Sequence, residues 1–465
     1  MIRLATAATT LAFLAGCAGF SADGGFDSVA QLTQERTGQT PVWQRSERPA
    51  DTVQTRTAEL LSKPLTADNA VELAMLNNRG LQASFQELGI AESELVRAGR
   101  LSNPSFSFAR LSGGGHVEIE RAVGFNILGL LTMPLATRVE ERRFERVRLQ
   151  AAAEAVGVAA DTRRAYFEAV AAQELVTYFQ RVKEAADASR ELASRMAAAG
   201  NFSKLAHLRQ QAFYADATSN LARAQHRAFG TREQLIRRLG FSGEQLDFQL
   251  PQRLPDPPTQ PIEPKDAEQT AMDKRLDVMM AKQTTHSVAR SLGLLRATRM
   301  VNVLHVGYAN VSESGEERKD GYEIEVELPL FDFGSTRVAR AEATYMQAVH
   351  RAAQTAIDAR SEVRQSYSAY RTAYDLARHY RDEVVPLSMR IAEENLLRYN
   401  GMLIGVFELL ADSRDQVSSV TASVRALRDY WIAETNLRTA MTAGSLGSSA
   451  PSQTPAVAAS GGLAH

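Results

Sequence analysis

The sequence predicts a mainly α-helical protein with a small membrane β part, built from two internal repeats that each combine long-helix hairpins with a β-hairpin. Three observations carry this. The chain repeats itself at about 200 residues: Thr137-Arg138-Val139 returns as Thr336-Arg337-Val338, Pro134-Leu135 as Pro329-Leu330, and Gly200 as Gly401. Each copy contains a helical stretch of far more than globular length, Leu135 to Ala199 and Thr336 to Asn400, about 97 Å each at 1.5 Å per residue. Ahead of each stretch lies a pair of short strands with alternating apolar and polar residues. Solenoid units run only ~20–50 residues, so the long period means two large copies.

The N-terminus comes first. Arg3, the apolar run Leu4 to Phe13, and Leu14-Ala15-Gly16-Cys17 form a secretory signal over residues 1–16. The chain has one cysteine, which excludes a disulfide framework. That cysteine sits at the cleavage point, where the sequence resembles a bacterial lipobox, with a free cysteine behind an ordinary signal peptide as the alternative. The resemblance implies a covalent lipid on Cys17 as the mature N-terminus, and Ala18 after it implies sorting to the outer membrane. Two or more acyl chains anchor stably. No other cofactor is expected. Leu4 to Gly16 is too short for a transmembrane helix. A net charge of −1 over 465 residues gives no basic excess for nucleic acid.

Residues 17–64 are polar with little periodicity and read as an extended tether. The first repeat spans 65–250, and its opening helix begins at Thr66 as N-cap and reaches about Arg100. Its strands occupy about 103–128 and its long helix turns at Gly200. The proline-rich stretch 251–265 links it to the second repeat, 266–443, where Asp266 is the expected cap, strands fall at about 301–330, and Pro386 predicts a kink. Residues 444–465, rich in Gly, Ser, Ala and Pro, read as a disordered tail.

The strands discriminate. Tyr322, Ile324, Val326 and Leu328 alternate with Glu323, Glu325 and Glu327; Val117, Ile119, Val123, Phe125 and Ile127 alternate with Glu118, Glu120 and Asn126. Any half-buried antiparallel sheet alternates. A carboxylate row opposite an aromatic and β-branched row, on strands of about ten residues, also fits the wall of a transmembrane barrel. Arg121 breaks the apolar row and would have to lie near headgroup level. Four strands cannot close a barrel, and an open edge cannot sit in lipid, so a membrane role requires oligomerisation.

No Gly-rich phosphate loop, His-Glu-x-x-His or Gly-x-Ser-x-Gly motif occurs, so no catalytic residue is expected. Asp375 and His379 lie one helical turn apart and read as a solvated pair; Met272, Met279 and Met280 read as helix packing. At the two helical turns, Gly200-Asn201-Phe202 and Gly401-Met402-Leu403 place apolar side chains at an otherwise exposed end, which suggests a partner surface.

Residues 64–443 resemble the TolC family of outer-membrane efflux proteins. The resemblance is carried by Leu65-Thr66-Ala67-Asp68-Asn69-Ala70-Val71-Glu72-Leu73-Ala74, ending at Asn77-Asn78, by Asn103-Pro104-Ser105-Phe106, by Leu328-Pro329-Leu330-Phe331-Asp332-Phe333-Gly334, and by Arg398-Tyr399-Asn400-Gly401 before Phe407-Glu408-Leu409. Arg79-Gly80 departs from the proline usual after Asn-Asn. The resemblance implies a homotrimer whose twelve strands form one barrel continuous with an α-helical barrel, lipid-anchored in the outer membrane and extending through the periplasm. It implies a passive exit duct for tripartite efflux or type I secretion, working with a periplasmic adaptor and an inner-membrane pump. Glu118, Glu120, Glu323, Glu325 and Glu327 would then line the pore, Glu408, Asp412 and Asp415 the periplasmic aperture, and the two turns would dock the adaptor. The alternatives are a periplasmic adaptor lipoprotein, which needs one hairpin splitting a β-rich domain, and a helical-bundle metal protein, which needs inward carboxylate–His constellations.

Overall fold

The computed structural model describes residues 19–45, 48–301, 303–327, 329 and 331–444. The signal peptide, the expected lipidation at Cys17 and the tail beyond residue 444 lie outside them. The segment expected to be an extended tether instead contains two helices, α1 (Phe26–Thr37) and α2 (Arg48–Leu61). Phe26 packs edge-on to Phe85 at 5.0 Å and against Trp43 at 5.6 Å, so a few aromatics hold an otherwise polar segment on the body.

The opening helix of the first repeat is two helices, α3 (Ala67–Asn77) and α4 (Arg79–Ala98). Thr66 caps the first through the Asn69 N–H at 3.1 Å, and Asn78 caps the second through the Leu81 N–H at 3.0 Å. Strands β1 (Ser105–Gly113) and β2 (His116–Asn126) follow. Helix α5 (Ile127–Ala198) starts directly after them, capped by Asn126 accepting from Gly129 N–H at 2.7 Å. Pro134 therefore lies inside the helix, not in a connecting loop before it. Helix α6 (Lys204–Leu239) returns alongside α5.

The second repeat follows the same order: α7 (Ala267–Lys274), α8 (Leu276–Ala297), β3 (Val303–Glu313), β4 (Lys319–Glu327), α9 (Ser335–His379), α10 (Val385–Asn400) and α11 (Val406–Thr442). Asp266 does not cap α7; it has a left-handed backbone and no capping hydrogen bond. Pro386 causes no break, because the turn Tyr380–Val384 widens to π geometry just before it and the helix runs on.

The alanine-rich centre of α5 explains where the core sits. Ala152, Ala153 and Ala155 are fully buried against Val71, Met75, Phe85 and Leu88, and one helical span further on Ala169 and Val170 meet Leu73, Leu235 and Leu239. Small side chains let α3, α4 and α6 approach one helix from several sides. Each buried leucine there contributes about 1.5–3 kcal/mol.

The proline-rich linker is fastened rather than loose. Proline carries no N–H, so this segment presents carbonyls, and aromatic side chains supply the donors. The Tyr374 hydroxyl lies 3.0 and 2.9 Å from the Pro258 and Thr259 carbonyls, and Trp431 Nε1 donates to Pro255 at 2.9 Å. Tyr370 accepts from the Ile262 N–H at 2.8 Å. Glu174 accepts from Leu254 N–H at 3.0 Å, and burial pushes its carboxyl above the usual range. Tyr370, Tyr374 and Tyr430 pack together beneath this strap.

At the α7–α8 corner, Arg275 stands 197 residues after Asn78 and does a different job. Its side chain is 1% exposed, 2.6 Å from Asp277 and 2.7 Å from Glu362 of α9, and it donates to the Ala440 carbonyl of α11 at 3.0 Å. Burial alone would lower the guanidinium pKa, but the two carboxylates raise it on balance.

Candidate functional site

Three surfaces matter: the two faces of the sheet and the helical turns at the far end. The strands form one antiparallel sheet in the order β1-β2-β3-β4, so strands from different repeats meet at β2 and β3. That junction pairs Glu120 with Val311 and Asn126 with His305. The outer two strands each keep one edge unpaired within the chain.

Side chains alternate across the sheet, and the register sorts them. Glu118, Glu120, Glu323, Glu325 and Glu327 all fall on one face, with Ser105, Ser107 and His305 among them. The opposite face carries Phe106, Val123, Tyr308 and Tyr322 in one cross-strand row, then Phe125, Val306 and Ile324 in the next. Phe106, Phe125, Tyr308, Tyr322 and Ile324 are exposed in the single chain. The sequence reading missed His305, whose Nδ1 lies 3.9 Å from a Glu325 oxygen. Its strand alternates poorly because glycine and alanine occupy Gly307 and Ala309 on the polar face.

Where the sheet returns to helix, Asp332 organises the exit. Its carboxylate accepts from Gly334 N–H at 2.9 Å and the Thr336 hydroxyl at 2.6 Å. Gly334 has φ +69°, and a Cβ there would sit 2.5 Å from the Arg299 carbonyl, so only glycine fits. Phe331 and Phe333 project from this corner into solvent.

The far ends of the helices form two turns. In the first, Gly200 takes the left-handed conformation (φ +78°) and Asn201 N–H bonds back to Met196 O at 2.9 Å. Ser203 then caps α6 through the Ala206 N–H at 3.2 Å. The second turn differs from the duplicated glycine's promise. Gly401 is ordinary (φ −79°), and Met402 holds the left-handed position at φ +57°. Met402 and Leu403 are 93% and 77% exposed, whereas Phe202 is half-buried.

The carboxylates past the second turn separate in role. Glu408 accepts from Gly405 N–H at 2.7 Å and so helps to cap α11. Asp412 is half-buried and Asp415 exposed on the same helix. Between them Arg414 reaches across to Asp216 of α6 at 3.3 Å, a partner that sequence spacing does not reveal because 198 residues separate the two. His379 pairs with Glu383 at 3.2 Å and Asp375 with Arg371 at 3.2 Å, so those two face different partners. Among the described residues no group of three or more His, Cys, Asp or Glu comes together to hold a metal ion, and no helix is long and apolar enough to cross a membrane.

No protein-family model matches the chain, and no curated protein matches it. Solved structures do. The Campylobacter jejuni CmeC outer membrane channel superposes with a TM-score of 0.69 at 15% identity, covering 81% of this chain and 86% of that one. The open state of the Neisseria gonorrhoeae MtrE outer membrane channel gives 0.68 at 16% identity, over 81% and 88%. The Vibrio cholerae outer membrane protein VceC gives 0.63 at 13% identity, over 87% and 99%. The chain thus has the fold of the outer-membrane channels, the fold that its resemblance to the TolC family implied.

Proposed function

We propose that the protein is the outer-membrane exit duct of a tripartite efflux or type I secretion system, anchored by a lipid on Cys17. One observation carries this reading: a two-faced sheet with unpaired edges on β1 and β4, mounted at one end of the 72-residue helix α5 and of the continuous α9–α10 stretch. Unpaired edges are not tolerated in lipid, and pairing β4 of one copy with β1 of the next closes a twelve-stranded wall from three copies. The apolar rows then face lipid and the five glutamates line the pore, where carboxylate rings favour cations. The adaptor alternative lacks support, because the two hairpins pair with each other in one sheet instead of forming a separate β-rich domain. Electron microscopy of the detergent-extracted protein tests the reading. A hollow threefold particle well over 100 Å long is expected; a compact monomer would reject it.

At the inner end, the exposed Met402 and Leu403 with Gly200, Asn201 and the half-buried Phe202 form the docking surface for a periplasmic adaptor, behind which an inner-membrane pump supplies energy. The Asp216–Arg414 pair ties the two hairpins together ~12–18 Å from the turns and holds the aperture, lined by Asp412 and Asp415, closed. An exposed pair is worth ~0.2–1 kcal/mol, so three copies bias opening by about 3- to 140-fold. Asp216→Ala and Arg414→Ala are expected to raise single-channel conductance in planar bilayers to a similar extent, with no further gain in the double variant. Unchanged conductance would remove the pair from the gate.

A further inference from the structure

The apolar face of the sheet ends abruptly. Directly beyond the Phe106–Val123–Tyr308–Tyr322 row, the next row reads Phe108, Arg121, Asn310 and Asp320 across all four strands. Asn310 is 3% exposed and acts as a bridge: it accepts from Arg121 at 3.2 Å and donates to Asp320 at 2.5 Å. Asp320 also accepts from the Tyr308 hydroxyl at 2.8 Å and lies 4.0 Å from Arg318. Arg110 sits diagonal to Arg121 on the same face and has no carboxylate partner among the described residues. Asp320 is thus taken up by Arg318, and neither Arg110 nor Arg121 has a carboxylate within ion-pair distance among the described residues. Like charges on neighbouring strands repel, so a cluster of this sign calls for an anion.

We propose that this cluster is a binding site for the phosphate of an outer-leaflet lipid, resting on the barrel reading above. The hairpin turns near Gly114 and Gly315 point away from the helices, so this end of the sheet lies on the external side. Arginine forks match phosphate oxygens and form charge-assisted hydrogen bonds. The tyrosine and phenylalanine row immediately inward offers acyl chains an apolar seat and places the headgroup boundary between the two rows. That adjacency selects a lipid over free phosphate, and a phosphorylated lipid over a neutral one. Arg110 and Arg121 are the ligands; Asn310 and Asp320 hold Arg121 in place.

The test is native mass spectrometry of the detergent-extracted full-length protein, titrated separately with bisphosphorylated lipid A, its dephosphorylated counterpart and inorganic phosphate. Up to three lipid adducts per trimer are expected with the phosphorylated form only. Arg110→Gln with Arg121→Gln should weaken binding at least about tenfold, the loss of charge-assisted hydrogen bonds. Lys319→Gln, a cation on the other face near the same end, should leave it unchanged. Arg110→Gln alone keeps the Arg121–Asn310–Asp320 chain and should bind several-fold more weakly even where the double variant does not assemble. Equal binding by the dephosphorylated lipid, full displacement by inorganic phosphate, or unaltered affinity in the arginine variants would overturn it. The same spectra report subunit mass: trimers without lipid selectivity reject only this site, whereas monomers reject the barrel itself.

Discussion

Replacing Arg275 by alanine is expected to cost about 3–5 kcal/mol, the effect of removing one member of a buried ion pair. The guanidinium holds three helices at one corner: Asp277 at the start of α8, Glu362 on α9, and the Ala440 carbonyl near the end of α11. Without it, two carboxylates face each other and a buried carbonyl loses its donor. Gly444 packs here as well, since a Cβ on it would lie 2.5 Å from the guanidinium. Lysine keeps the charge but not the planar fork and should recover only part of the loss. The measurement is the temperature at which helical circular dichroism is lost in detergent. An Arg275→Ala protein that melts with the wild type would show that the corner is held by its apolar contacts alone. If Asp277→Ala, made in the alanine variant, restores some stability, the penalty came from the stranded carboxylates.

The sequence made the large features visible because they rest on periodicity. Helix length, the doubled order of elements and the two faces of β2 and β4 are all repeat or alternation signals, and the five glutamates land on one face as their spacing requires. What it hid rests on partners far away in the chain. Nothing in the local sequence marks Arg275 or Arg414, because their partners Glu362 and Asp216 lie 87 and 198 residues away. The tether was misread because a few aromatic contacts, Phe26 to Phe85 and Trp43, outweigh its polar composition. The duplicated glycine misled in a different way: the second turn is one residue out of step, and Met402 takes the strained position. A left-handed methionine costs about 1–2 kcal/mol, and it leaves Met402 and Leu403 exposed at the end of the helix pair.

Two adjacent residues offer the sharpest separation of the sheet's faces. Ile324→Arg is expected to cost ~2–4 kcal/mol per chain, the penalty of an arginine on the lipid side of a barrel near mid-membrane, multiplied by three in a closed trimer. Ile324 lies opposite Val306 and one row inward of Tyr322, so no carboxylate on that face is directly across to receive the charge. Glu323→Arg introduces the same side chain one position earlier, opposite Gly307 and on the carboxylate face. There it meets water and Glu325 two residues on, so folding and membrane insertion should be retained. Reversing three pore charges should instead shift the zero-current potential under a salt gradient away from cation preference. The expected result is therefore a protein lost from the outer-membrane fraction in one variant and present with altered selectivity in the other. If Glu323→Arg is the variant that fails to assemble, the faces are assigned backwards. If both assemble normally, neither face meets lipid, and the strands serve as a soluble cap on the helical bundle.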